Sequence, residues 1–315
     1  MSVEKIAVAS QKGGPGKTTT TVNLAAGLAL AGYRVLVADI EPQAQAGIAL
    51  GVRLTGTDIA KSLALPLQHL AQGVPSTLRS IIIDRTELLR SRKSKGTLHL
   101  LASEQATMTN AQHILHAAGV EKAHVLRDLL AELEDEYDFA VFDTPPAVQS
   151  LNGVALAASD YALTLCNPKG ATVEGAVTMR STIRHVKDRT SGAPGGASDP
   201  KYLGAVLNMA HPMGEWSTEE IDVRNQMVDA GLQPFLTEIR EDSRISGSYS
   251  KGMPAVIGYA RTAPGKRYAR FLQEVLDRMD TPEDEWEIAQ SADEQLDAAE
   301  AAAVPAQQVK EASSV

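Results

Sequence analysis

The chain has 315 residues and a formal net charge of −9, from 39 acidic and 30 basic side chains. Its single cysteine, Cys166, excludes a disulfide framework and an iron–sulfur cluster held by cysteines of one chain. Apolar runs stay shorter than the about 18 residues a membrane span needs, and the N-terminal Met-Ser-Val-Glu-Lys lacks a signal-peptide core, so a cytoplasmic protein is expected.

Apolar strands alternating with amphipathic helices predict an α/β fold, a doubly wound and mostly parallel sheet with helices on both faces. Strands are expected at 4–9, 34–39, 97–102, 138–143, 160–166, 202–208 and 234–237. The first runs into Lys12-Gly13-Gly14-Pro15-Gly16-Lys17-Thr18, and a helix-forming run follows through Leu30 with Gly32 as its stop. Glycines between a strand and a helix let backbone N–H groups turn inward, and the helix adds the positive end of its dipole, so this loop is suited to a polyphosphate. Lys17 is placed to reach the β- and γ-phosphates and Thr18 to ligate Mg²⁺, with Thr19 in the same nucleotide-binding turn. Lys12, beside glycine and ahead of the phosphates, is a candidate cation for a second subunit's nucleotide, the lysine counterpart of an arginine finger.

Two later strands end in carboxylates. Asp143 closes Phe139-Ala140-Val141-Phe142 and is followed by Thr144 and two prolines; at the C-terminal edge of a buried strand it faces the crevice where open α/β sheets bind ligands, and it is a candidate to hold Mg²⁺ through water. Asp39 ends the second strand and is a similar candidate near the metal and the attacking water. Asn208, after Gly204-Ala205-Val206-Leu207, offers a donor and an acceptor on one amide, which suits an adenine edge. Near the C-terminus, Tyr268, Phe271, Leu272, Val275, Leu276 and Met279 lie on one helical face expected to pack on the sheet.

Charge divides the chain at about residue 280. Residues 281–315 carry nine acids and one lysine, a net of −8, so residues 1–280 sum to −1. The tail is read as disordered or weakly helical, and its acidity is unlike a basic membrane-surface helix. Two basic clusters stand on the near-neutral domain of residues 1–280: Arg85, Arg90, Arg92, Lys93 and Lys95, and a second with Arg180, Arg184, His185, Lys187 and Arg189, to which Arg240 and Arg244 are joined as candidate DNA contacts.

The loop resembles the K-G-G-x-G-K-[ST] signature of the deviant Walker A ATPases of the ParA/MinD type. Asp39-Ile40-Glu41-Pro42-Gln43 is similar to that family's D-x-D-P-Q turn, Phe139 to Pro146 to its Walker B strand, and Gly204 to Asn208 to the strand whose asparagine reads adenine. Arg244-Ile245-Ser246 and Lys251-Gly252-Met253-Pro254 resemble the R-[LI]-S…G-x-P segment of partition ATPases, with Arg240 where that pattern has proline. The resemblance runs from about residue 3 to about residue 279. It implies a P-loop ATPase that forms an ATP-dependent homodimer with Mg²⁺, binds non-specific DNA and associates with the nucleoid when ATP-bound. It further implies a centromere-binding or adaptor protein that stimulates hydrolysis, and no membrane partner. Glu41 departs from the family's second aspartate, and its extra methylene must fold back to reach the same place, which predicts slow hydrolysis. Two alternatives stay open: a slowly or non-hydrolysing ATP-dependent scaffold, and a metabolic phosphoryl-transfer enzyme on the same loop.

Overall fold

The computed structural model describes residues 2–11, 13–14, 16–146, 150–168, 172–212 and 215–290. Among these residues eight strands form one sheet: β1 (Glu4–Ala9), β2 (Arg34–Asp39), β3 (Ile83–Asp84), β4 (Thr97–Leu101), β5 (Phe139–Asp143), β6 (Tyr161–Cys166), β7 (Lys201–Ala210) and β8 (Ile239–Arg240). Their spatial order is β3-β4-β2-β5-β1-β6-β7-β8, parallel throughout except for the short edge strand β3 against β4. Both faces of the central strands are covered: Ile6, Val8, Val35 and Val37 pack into one apolar layer, and Ala7, Ala9, Leu36 and Ala38 into the other. Such strands read as continuous apolar runs because neither face meets water.

β1 lies at the centre, between β5 and β6. Chain connections leave to opposite sides there, which opens a crevice at the C-terminal ends of the strands. Helix α1 (Lys17–Ala31) starts in that crevice, and Gly32 ends it in the left-handed conformation at φ 108° with its N–H on the Ala29 carbonyl.

One expectation is corrected. Residues 234–237 are not a strand: the Phe235 N–H still reaches the Ala205 carbonyl of β7 at 3.0 Å, but the Leu236 and Thr237 N–H groups are taken by the Glu274 carboxylate at 2.6 and 2.9 Å, and a ladder with β7 forms only at β8. The chain continues to pack past residue 280. Trp286 and Ala289 are buried, Ala289 N–H donates to the Pro234 carbonyl at 3.1 Å, and the packed chain extends through residue 290. Arg278, on the C-terminal helix Ala263–Asp280, organises this corner: it donates to the carbonyls of Leu203, Gln233 and Pro234 at 2.7–3.0 Å and stacks over Phe235 at 3.9 Å. The remainder of the tail, residues 291–315, lies outside the described residues. On the same helix Tyr268, Phe271, Leu272 and Val275 are buried, as its periodicity predicts.

Candidate nucleotide site

Gly14 and Gly16 both take the left-handed conformation, at φ 92° and 90°, and turn the chain from β1 into α1. At Gly16 nothing larger fits, because a Cβ would sit 2.3 Å from the Asn208 amide nitrogen. Among the described residues no side chain caps α1, so its first-turn N–H groups stay available to an anion. Gly13, Gly14, Gly16, Lys17, Thr18 and Thr19 line a cavity of about 240 Å³ together with Glu41, Gln43, Gln45, Pro146 and Tyr249. Lys12 and Pro15 of the expected loop lie outside the described residues.

Lys17 is buried, and burial pulls its ammonium below the ordinary range while Asp143 and Glu41 oppose that shift. A cation held in a desolvated pocket beside helix N–H groups is a strong partner for phosphate oxygens. Asp39 and Asp143 are register partners on β2 and β5, so both carboxylates stand side by side at the ends of neighbouring strands. The Thr18 hydroxyl donates to Asp143 Oδ2 at 2.7 Å, and Gly47 N–H to Asp39 Oδ2 at 3.1 Å. The other oxygen of each carboxylate is buried and has no hydrogen-bond partner among the described residues. Burial pushes Asp143 up to about 7, with Thr18 and Lys17 acting against it, and pushes Asp39 well above the carboxylate range, with the Asp143 charge adding to it.

Two orphaned carboxylate oxygens beside a threonine hydroxyl and a phosphate-sized cavity fit a divalent cation. Among the described residues no group of three or more His, Cys, Asp or Glu forms a metal site. A metal here would therefore take phosphate and water oxygens to complete its shell, as suits Mg²⁺. Glu41 is buried with its Oε1 toward the Gln43 N–H at 3.4 Å; burial raises its carboxyl while Lys17 lowers it. The longer side chain thus curls onto its own turn at the cavity wall.

Asn208 lines an adjoining cavity of about 100 Å³ with Gly16, Thr19, Met209, Arg240, Asp242 and Tyr268. Its Oδ1 accepts the Met209 N–H at 3.0 Å, which fixes the amide where a base would lie. The expected nucleotide residues therefore converge. The candidate DNA contacts do not. Arg184, Lys187 and Arg189 lie on or next to helices Thr172–Arg184 and Val186–Thr190 beside the start of β7, where Lys187 pairs with Asp199 at 2.8 Å. Arg240 and Arg244 follow the opposite end of the sheet, about 30 Å away along ten-residue β7. There Arg240 pairs with Glu238 at 3.3 Å and Arg244 with Asp242 at 2.7 Å. In the first basic cluster Arg85 and Arg92 hold the carbonyls of Leu50 and Ile257, a structural use. Tyr249 and Gln45 were not singled out by sequence; the sole hint was their placement in, or just after, the two segments with motif character.

Known proteins align with this arrangement. The AAA domain family model matches residues 3–193. The chromosome partitioning protein ParA of Myxococcus xanthus is 30% identical over 282 residues, covering 88% of this chain and 89% of that one. The chromosome-partitioning ATPase Soj of Thermus thermophilus is 30% identical over 279 residues, covering 88% and 97%. Among solved structures, an ATP complex of Cyanothece McdA superposes with a TM-score of 0.71 at 20% identity, covering 91% of this chain and 99% of that one.

Proposed function

The chain belongs to the ParA-type family of P-loop ATPases, and on that premise we propose that it dimerises around two ATP molecules, binds DNA without sequence preference in that state, and releases it after slow hydrolysis. Its cargo is a plasmid, a chromosome region or another large body, and an adaptor or centromere-binding partner stimulates the ATPase. The observation that carries this reading is the convergence of Gly16, Lys17 and Thr18 on one phosphate-sized cavity, with Asp143 held by the Thr18 hydroxyl, Asp39 beside it on the neighbouring strand, and a buried oxygen on each carboxylate left for a cation.

Bound Mg²⁺·ATP supplies the terminal phosphate and its electrophilic phosphorus. The chain's own residues do the rest. Lys17 and the open N–H groups of α1 would neutralise phosphate charge, while Thr18 and Asp143 would hold the cation and Asn208 would take the base edge. Asp39 and Glu41 flank the position of the attacking water. Lys12 acts across the dimer. Because Glu41 curls onto its own turn, water is held less well than by a shorter carboxylate, which favours a long-lived ATP state; a scaffold that hardly turns over is the limiting case.

Arg184 and Arg189, exposed at the end of the sheet away from the nucleotide, are the better candidates for phosphate contacts, since Arg240 and Arg244 are already paired. A site that remote is gated by dimerisation, which presents two weak patches together. Binding to a random-sequence duplex with ATP, ADP or no nucleotide at two salt concentrations tests this, using wild type and Lys12→Ala. Tight, salt-sensitive binding only with ATP and lost in the variant is expected. Equal, weak binding in every condition refutes it.

A further inference from the structure

We propose that the Gln45 amide donates to the terminal phosphate of a bound nucleoside triphosphate, and that Tyr249 is the positioning residue that holds the amide in that orientation, so that this pair distinguishes triphosphate from diphosphate. The inference rests on the nucleotide reading above and names a discriminator within that site.

Both side chains line the phosphate cavity together with Lys17 and Glu41. The Tyr249 hydroxyl donates to Gln45 Oε1, joining two segments 204 residues apart. An amide has one acceptor end and one donor end; with the oxygen engaged, the NH₂ is the end left for the cavity. That orientation matters because the ligand is an anion: the reverse would turn a carbonyl dipole toward phosphate oxygens. Tyr249 keeps its proton, since burial raises the phenol and the Asp39 and Asp143 carboxylates push it the same way.

The surrounding backbone leaves little freedom. Gln45 opens the short helix Gln45–Ala49, and Ala44 before it is held at φ 53°, a left-handed conformation that a non-glycine residue takes only when its surroundings demand it. Gly47 N–H in the same helix is fixed to Asp39. Behind Tyr249, which sits on helix Ser243–Ser250, the chain presses against the turn that follows the Gln45–Ala49 helix: a Cβ on Gly252 would lie 2.4 Å from the Gly51 Cα. The pair is thus clamped from both sides, and the helix that carries Arg244 is tied to the phosphate end of the site.

The test uses the full chain as wild type, Tyr249→Phe, Gln45→Ala and the double variant, with calorimetric titration of ADP and of a non-hydrolysable ATP analogue in Mg²⁺. Phenylalanine keeps the ring and its packing, and melting curves check that each variant folds. Each single variant is expected to lose about tenfold in analogue affinity, the scale of one hydrogen bond to a charged acceptor, with ADP affinity unchanged. The double variant is expected to lose no more than Gln45→Ala, because Tyr249 acts only through Gln45. A parallel loss for both nucleotides would show a merely structural contact and overturn the proposal, as would unchanged analogue affinity in Tyr249→Phe. Wild type that binds neither nucleotide would overturn the nucleotide reading itself.

Discussion

Replacing Asp143 by asparagine is expected to stabilise the nucleotide-free protein while removing its ability to hold Mg²⁺. In the folded chain burial lifts this carboxyl to about 7 from an ordinary 3.8. Between those values the folded state holds a proton that the unfolded chain has released, so stability is fully present below about pH 4 and is lost as pH rises toward 7. At about 1.4 kcal/mol per pH unit the loss is on the order of 4 kcal/mol by pH 8. Asparagine cannot ionise and escapes that loss. It also places an NH₂ where Asp143 Oδ1 now lies buried without a partner, a cost of about 1–3 kcal/mol. A net gain of about 1–3 kcal/mol at pH 8 should remain, shrinking toward pH 5, where wild type retains most of its proton. Relief of Asp39, whose carboxyl the Asp143 charge helps to raise, acts in the same direction. Urea denaturation of both proteins from pH 5 to 8, without Mg²⁺ or nucleotide, measures the gap directly. Parallel stability curves across that range would refute the argument that this carboxylate is buried at an energetic cost for the sake of a cation.

Three further outcomes follow from the same geometry. Gly16→Ala combines a left-handed backbone with a Cβ 2.3 Å from the Asn208 amide, so nucleotide binding measured by calorimetry should be lost and stability should fall by about 1–3 kcal/mol. Ala44→Gly relieves the left-handed strain before Gln45 and should raise the urea midpoint, a gain of about 1 kcal/mol; a lower midpoint would show that the turn is not strained. Glu41→Asp should raise steady-state phosphate release, up to about 10²-fold if carboxylate placement limits the chemistry; turnover equal to wild type would remove Glu41 as the cause of slow hydrolysis.

What sequence made legible was the chemistry that depends on local order, and what it missed depends on contacts between distant segments. The loop from Gly13 to Thr19 and the strand-end aspartates are read from adjacency: a glycine turn after an apolar strand, and a carboxylate where that strand stops. β1, β2 and β5 fall where apolar runs place them because both sheet faces are buried. The segment 234–237 shows the limit. It is apolar enough for a strand, yet a carboxylate 37 residues beyond Thr237, on the C-terminal helix, takes the N–H groups a ladder would need. Trp286 and Ala289 were hidden by the acids around them, since composition averages over the few residues that pack. The basic residues show a related limit: proximity in sequence joined Arg184 and Arg189 into a patch, but charge counting could not reveal that Arg240 and Arg244 stand at the other end of β7 with their own carboxylates. Tyr249 is the sharpest case, because nothing within its own segment calls for a phenol. Its hydroxyl acquires meaning only from an amide 204 positions earlier, at the wall of a phosphate cavity that neither segment builds alone.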